Sequence, residues 1–154
     1  MNENTVRFAV LGMSLAIALP VAAQPGDFRA LTLDDKTTAG VMMGSTGGTT
    51  SLPAIVGNSD RANRTCLGFG DPAPDHTLIL KKAVSDLSIR VNSGGGDTTL
   101  LISGPDGVRC ANAGQPGKDV KLQEDNWQPG TYQIWVGTVI PNTNRDYRLS
   151  VRAK

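Results

Sequence analysis

Apolar and polar residues alternate along much of the second half of the chain. In one run, Leu87, Ile89 and Val91 share one side of an extended chain, while Ser88 and Arg90 share the other. Because successive side chains of a strand point to opposite faces, such a run predicts a strand with one buried face. Comparable runs occur at residues 77–81, 98–102, 108–111, 120–122, 132–137 and 147–152.

Glycine and proline interrupt these runs at short intervals. Glycine supplies positive φ, and proline presets the first corner of a turn. Short strands with turns every ~8–12 residues are typical of an antiparallel sandwich or barrel. No window carries a helical period of useful length, so the sequence predicts an all-β antiparallel domain. The interruptions lie at residues 93–97, 104–107, 114–117, 128–130 and 141–144.

The first 23 residues have the three parts of a secretory signal. A polar start is followed by an apolar stretch over residues 8–20, and small side chains precede Gln24. The apolar stretch is shorter than the ~20 residues that span a hydrocarbon core. We therefore expect cleavage after Ala23, with an uncleaved N-terminal anchor as the alternative. The mature protein is then expected to be secreted or periplasmic, without stable membrane insertion.

Residues 24–48 follow no clear pattern. Glycines and prolines punctuate them, and Val41-Met42-Met43 is their one compact apolar run, so we expect a loosely ordered N-terminal arm. Residues 49–154 are enough for one domain with its own core. The chain has 15 basic and 14 acidic side chains, and this balance argues against a basic field that would attract nucleic acid.

Cys66 and Cys110 are the only cysteines of the chain. Two cysteines in an exported protein, each beside turn-rich sequence, predict one disulfide. They lack the C-x-x-C spacing that would favour a redox or zinc site. The bond would close a loop of about 45 residues and stabilise the fold by about 4 kcal/mol in the chain-entropy model.

Several short phrases occur in one order along the chain. They are Pro74-Asp75-His76-x-Leu78, the run from Gly96-Asp97 to Gly104-Pro105-Asp106-Gly107, Cys110 shortly after it, and Pro129-Gly130-Thr131-Tyr132-x-Ile134-Trp135-Val136-Gly137. In this order they resemble the bacterial pre-peptidase C-terminal domain family, and in particular its short, stand-alone, exported members. The resemblance covers about residues 66–152.

The resemblance implies a β-sandwich of jelly-roll type that is not catalytic and that serves secretion, localisation or attachment to a surface or polymer. One departure concerns metals, because many relatives carry an acidic cluster after the second cysteine. Here Cys110 is followed by Ala111-Asn112-Ala113-Gly114. The departure weakens the case for calcium, and the turn residues Asp97 and Asp106 are the weak metal candidates that remain.

His76 is the single histidine and stands beside Asp75. No Gly-x-Ser-x-Gly elbow accompanies the pair, so we predict no catalytic residues and no enzyme activity. A histidine at the entry of a strand more often hydrogen-bonds a neighbouring loop. Contact of Asp75 and His76 with a ligand is the sharper alternative.

Trp127 and Trp135 are the two tryptophans. Trp135 alternates away from the inward side of its predicted strand, and Trp127 precedes a turn. An exposed Trp on a sandwich can hold a sugar ring or a peptide. Packing in the protein interior is the plainer interpretation of both, and ligand contact is the alternative.

These features favour an exported, non-catalytic β-sandwich that acts as a binding or accessory module. Its partner would be an extracellular polymer, protein or glycan, or an exported protein. No cofactor is expected, with calcium as the one candidate. Two alternatives stay open: a small secreted hydrolase, which needs His76 buried against an acid and near a serine, and a structural envelope or matrix subunit, which would self-assemble.

Overall fold

Two β-sheets face each other in the computed structural model, which describes residues 30–154. The predicted signal and residues 24–29 lie outside the described residues. The seven-stranded sheet contains β1 (Ala30–Leu33), β3 (Thr50–Ser51), β4 (Phe69–Gly70), β5 (His76–Leu80), β7 (Thr98–Gly104), β8 (Gly107–Asn112) and β10 (Gly130–Thr138). The four-stranded sheet contains β2 (Ala39–Ser45), β6 (Val84–Asn92), β9 (Lys121–Trp127) and β11 (Asp146–Ala153).

The strand pairing is that of a β-sandwich, so the predicted fold class is confirmed. In the larger sheet β10 pairs antiparallel with β5 along its first half and with β7 along its second. β1 pairs parallel with β5, and every other pair among the described strands is antiparallel. In the smaller sheet the order is β2-β11-β6-β9. The short helix α1 (Pro53–Val56) is the one helix of the described residues, and no helix there is long and apolar enough to cross a bilayer.

The main core fills the space between the sheets. Leu87, Ile89 and Val91 are fully buried there, as their alternation predicts. Tyr132 and Ile134 meet them from the larger sheet. Each large apolar side chain that leaves water in this way contributes about 1.5–3 kcal/mol, so the period of two along the strands is the main source of the fold's stability.

A second, smaller core covers the outer face of the larger sheet. Leu101 and Trp135 point outward from the sheet and pack against Leu52, Cys66 and Cys110. The predicted Cys66–Cys110 disulfide is present, with its Cα atoms 5.3 Å apart. It ties the segment that contains α1 to β8, and the sandwich therefore has a covered outer layer on one side.

Residues 24–48 differ from the prediction of a loosely ordered arm. Their described part supplies β1 to one sheet and β2 to the other, so the prediction was wrong there. The reason is that β2 has glycine at inward positions where alternation would show apolar residues. The space is filled from outside the strand, by Leu31 at Gly40 and by Tyr147 at Gly44.

Arg109 joins the two sheets along one side of the sandwich. It lies on β8 with its side chain 0% exposed, between the sheets. The guanidinium donates to both carboxylate oxygens of Asp106, at 2.6 and 2.7 Å, and lies 3.0 Å from Oε2 of Glu124 on β9. It also lies 3.8 Å from the ring centroid of Trp127, a cation–π geometry.

The charges in this cluster depend on each other. Burial alone would raise the pKa of Asp106, but the hydrogen bonds and charge of Arg109 outweigh it and hold that pKa below its usual value. Removing one partner of a buried pair leaves an uncompensated charge in a low dielectric, which costs more than the pair itself contributes. The cluster therefore fixes β8 against β9.

A neighbouring loop extends this closure over the edge of β8. Asp60 accepts a hydrogen bond from Nε of Arg64 at 2.7 Å and from the backbone N–H of Cys110 at 3.3 Å. The N–H of Arg61 donates to the carbonyl of Val108 at 2.9 Å. The outer edge of the larger sheet is thus occupied by main-chain and carboxylate groups of the loop.

The Asp106 carboxylate offers a matched pair of variants. Arg109→Ala removes the buried partner and is expected to lower the free energy of unfolding by about 3–5 kcal/mol. Arg61→Ala removes an exposed partner of the same carboxylate, at 3.2 Å, and is expected to cost less than about 1 kcal/mol. Urea unfolding monitored by tryptophan fluorescence measures both, and similar losses would contradict the role given to Arg109.

Reduction of the Cys66–Cys110 bond is expected to destabilise the protein. The bond spans a sequence separation of 44 residues, which corresponds to about 4 kcal/mol in the chain-entropy model. Urea unfolding with and without a thiol reductant measures the effect. An unchanged midpoint, with reduction verified by mass spectrometry, would contradict it.

Candidate binding face

Both tryptophans that were ligand-contact candidates are buried. Trp127 is 0% exposed and lies under the guanidinium of Arg109, with its Nε1 donating to the carbonyl of Glu124 at 2.9 Å. Trp135 is 4% exposed and lies in the outer core, with its Nε1 donating to the carbonyl of Pro72 at 3.2 Å. Neither ring presents a face to solvent, so ligand contact by these residues needs a rearrangement.

His76 begins β5 and makes a buried contact between the sheets. Its Nε2 lies 2.8 Å from the hydroxyl oxygen of Tyr147 on β11, and the two rings meet edge to face. The carboxylate of Asp75 accepts the N–H of Val136 at 2.8 Å. Burial, and then the charge of Asp75, raise the pKa of Tyr147. The phenol is therefore held neutral, as a hydrogen-bonding partner of the imidazole.

A polar cavity of about 370 Å³ opens beside this pair. Asp75, His76 and Tyr147 line it together with Asp71 and Ser45. The cavity thus brings the histidine, a carboxylate and a serine near one another, which is part of what a serine hydrolase requires. However, Nε2 of His76 already faces the hydroxyl of Tyr147, and that nitrogen is the one a nucleophilic serine would have to share.

The two weak metal candidates lie at opposite ends of β7. Asp97 accepts the backbone N–H of Gly117. Asp106 is bound by Arg109 and accepts the hydroxyl of Tyr132 at 3.2 Å. Within residues 30–154, no three His, Cys, Asp or Glu side chains come together as a metal-binding group. The bonds of both carboxylates are those of turn and ion-pair residues.

Exposed cations collect on the outer face of the four-stranded sheet. Arg90 lies on β6, Lys121 on β9, and Arg148 and Arg152 on β11. The alternation that buries Leu149 between the two arginines of β11 also exposes those arginines. We call these four cationic residues the basic face.

Arg90 lies at the centre of the basic face. The register places Lys121 directly opposite it on β9 and Ser150 directly opposite it on β11. Arg148 and Arg152 stand two residues to either side of Ser150 and are diagonal neighbours of Arg90. Opposite Cβ atoms lie about 4.5–5.5 Å apart and diagonal ones about 7–8 Å. Like charges at these spacings repel, and a bound anion would relieve the repulsion.

Acidic residues border the basic face without pairing to it. Asp86 accepts Nε2 of Gln123 at 3.2 Å and lies 3.7 Å from Nζ of Lys154. Asp125 is exposed on β9 opposite Asp86, and Asp146 is exposed at the far end of β11. Among the ion pairs within residues 30–154, none includes a member of the basic face. Its charge is therefore directed to solvent.

A cleft of about 250 Å³ lies beside Arg90 and Lys121. Asp119 lines it but is bound elsewhere, by the hydroxyl of Ser93 and by the N–H of Gly95. Burial alone would raise the pKa of Asp119, but these hydrogen bonds outweigh it and hold the pKa below its usual value. Asp119 shapes the cleft, while the two cations supply its free charge.

Sequence reasoning did not assemble the basic face. The alternation over residues 147–152 predicts that Arg148 and Arg152 lie on the exposed face of their strand. The alternation over residues 87–91 predicts the same for Arg90. The missing information is which strands are neighbours and in what register. The near-neutral sum of charges over the whole chain also does not show that these four cations are neighbours.

The pKa shift of Tyr147 makes a prediction for high pH. A raised pKa in the folded state gives a contribution that is complete below about pH 10 and is lost as the pH rises further. The free energy of unfolding of Tyr147→Phe is expected to be about 1 kcal/mol below that of the wild type at neutral pH. As the pH rises above 10, the free energy of unfolding of the variant is expected to fall less than that of the wild type. Tyr132, whose pKa is raised to about 12, contributes to the alkaline loss in both proteins. Urea midpoints over the alkaline range measure this, and parallel profiles would contradict it.

Comparisons with known proteins show distant structural likeness. No family model matches the chain, and no curated protein matches it. A periplasmic lysozyme inhibitor of g-type lysozyme from Aeromonas hydrophila is 14% identical over 81% of this chain and 96% of its own, with a TM-score of 0.43. The pre-peptidase C-terminal domain of a collagenase from Bacillus anthracis is 19% identical over 85% of this chain and 100% of its own, with a TM-score of 0.45.

Proposed function

We propose that the protein is an exported, non-catalytic binding module that holds an anionic polysaccharide on its basic face. One observation carries the proposal: Arg90 and Lys121 stand directly opposite each other, with no acidic partner among the described residues. Such a pair is unfavourable in the free protein and favourable under a row of carboxylates or sulfates.

The shape and chemistry of the surface favour a polymer of sugars. Small-molecule sites are concave. Beyond the cleft beside Arg90 and Lys121, this surface is the open side of a sheet and suits an extended chain. Hydroxyl and amide groups stand among the cations and can bond sugar hydroxyls. They belong to Ser88, Asn92, Gln123 and Ser150.

Nucleic acid is the less favoured polyanion. Single-stranded nucleic acid is usually held by aromatic rings on which bases stack. The outward positions of β6, β9 and β11 carry no aromatic residue, because Trp127 and Tyr147 are both buried. The surface therefore offers charge and hydrogen bonds without a stacking platform.

Export and family membership belong to the same proposal. Residues 1–23 have the form of a secretory signal, and a structural disulfide suits an oxidising compartment. Membership in the pre-peptidase C-terminal domain family rests on the ordered phrases. Of these, Gly104-Pro105-Asp106-Gly107 forms the β7–β8 turn and Gly130–Thr138 the central strand.

The test is binding of alginate or polygalacturonate, measured by affinity electrophoresis and titration calorimetry. Arg90→Ser/Lys121→Ser is expected to raise the dissociation constant about tenfold or more. Lys36→Ser/Lys81→Ser is the matched control, because it removes the same charge from exposed positions outside the basic face. The control is expected to bind within about twofold of the wild type, and added salt should weaken binding of the wild type.

Three results would overturn the proposal. Equal losses in the two double variants would mean that binding follows net charge alone. Equal affinity for a neutral glucan would remove the role of the anion. Tighter binding to single-stranded DNA than to either polysaccharide would assign the basic face to nucleic acid.

A further inference from the structure

Among the described strands, five end a sheet, and four of these are protected from further pairing. β1 and β3 are short, with four and two residues. β8 lies under the loop that contains Asp60 and Arg61. β9 carries charged side chains at Lys121, Glu124 and Asp125. Shortness, cover and charge are the usual means by which proteins block free sheet edges.

β2 has none of these protections. It ends the four-stranded sheet with seven residues, Ala39–Ser45, of which none is charged and none is proline. Within residues 30–154, β11 is the only strand that pairs with it. Val41 and Met43 are 40% and 58% exposed on the outer face. An uncharged edge of this length is a template for another strand.

The backbone groups that point away from β11 can be identified. The backbone N–H of Thr46 donates to the carbonyl of Arg145 at 2.9 Å, and the backbone N–H of Ala153 donates to the carbonyl of Thr38 at 2.8 Å. Because bonded residues of an antiparallel pair alternate with non-bonded ones, the even-numbered residues of β2 bond β11. The odd-numbered residues therefore present N–H and C=O groups along the free edge, and they are Ala39, Val41, Met43 and Ser45.

We infer that this edge pairs with a second copy of itself, antiparallel, so that the four described strands of each copy join into one sheet of eight strands. With the two-fold axis at Met42, Val41 lies opposite Met43 of the partner subunit. Ala39 then lies opposite Ser45 of the partner subunit. In this register the backbone groups of all four odd-numbered residues are hydrogen-bonded, which gives about eight hydrogen bonds in four pairs. A two-fold interface of this kind closes on itself and gives a dimer.

The composition of β2 favours its own copy over an unrelated strand. An acidic or basic peptide would find no countercharge along the edge, whereas two copies meet without like charges. Val41 and Met43 would cover each other across the junction, as an apolar cross-strand pair. The interface lies beside the basic face, because Met43 stands opposite Arg148, but its hydrogen bonds involve only the backbone of β2 and do not depend on the proposed ligand.

Sedimentation equilibrium of the full chain, as processed by its expression host, tests the pairing. The wild type is expected to be a dimer. In Val41→Lys/Met43→Lys each introduced lysine faces another across the junction, and the dimer dissociation constant is expected to rise about tenfold or more. In Val41→Lys/Met43→Glu each lysine faces a glutamate, and the dimer is expected to be retained within about threefold of the wild type.

A backbone variant keeps the test independent of charge. Val41→Pro removes an N–H that faces away from β11, so it is expected to give a folded monomer, checked by circular dichroism. Met42→Pro removes an N–H that bonds β11 and is expected to unfold the protein. If the proposed function holds, the monomeric Val41→Pro variant still binds polysaccharide at low salt through its single basic face, and Arg90→Ser/Lys121→Ser still dimerises, which separates the two tests.

Three outcomes would overturn the inference. One is a wild type that is monomeric at every concentration, whether the edge is left bare or is covered by residues 1–29. Another is equal dissociation of the lysine–lysine and lysine–glutamate variants. The third is a folded Val41→Pro variant that stays dimeric.

Discussion

The sandwich depends on one buried cation. Arg109 takes a guanidinium out of water, and that transfer is tolerated because Asp106 and Glu124 surround it and the ring of Trp127 lies beneath it. Asp106 lies in the same hairpin as Arg109, whereas Glu124 and Trp127 lie on β9 of the other sheet, so the full set of partners is present only when the two sheets are in register at this side. The buried pair thus selects one arrangement of the sheets, while apolar burial supplies most of the stability. Among residues 30–154, the opposite side of the sandwich, at β2, has no buried ion pair of this kind.

The sequence predicts strands whose burial follows their own periodicity. It does not predict a strand such as β2, whose burial depends on side chains from neighbouring strands. Residues 87–91 carry their burial pattern in their own alternation, as do Tyr132, Ile134 and Val136, and the sandwich buries these apolar side chains between its sheets as expected. The cysteines can be paired because a chain with two of them has one possible intramolecular disulfide. β2 escaped prediction because Gly40 and Gly44 occupy inward positions that Leu31 and Tyr147 fill from other strands.

The candidate residues show the same limit. His76 could be placed at a strand entry from sequence, but its bond to Tyr147 crosses between sheets over 71 residues of chain. The sequence pattern alone is compatible with exposed or buried positions for Trp127 and Trp135. Arg109 covers Trp127, and the second core encloses Trp135. The basic face is the clearest case, because its charge density arises from register. A sum of charges near zero describes the chain, whereas Arg90 and Lys121 experience only what stands across the strand from them.

Pairing of two copies through β2 would change the surface that the smaller sheet presents to a long polymer. A two-fold axis that relates antiparallel neighbours is perpendicular to the sheet, so outward side chains of both subunits lie on the same side of the joined sheet. Two basic faces would then share one surface eight strands wide, about 34 Å across at the usual strand spacing. A polysaccharide that reaches both faces loses its overall freedom of motion largely when it binds the first face. Its contact with the second face is then intramolecular. Weak exposed charges can in this way give useful affinity, which a single face of four cations would supply only at low salt.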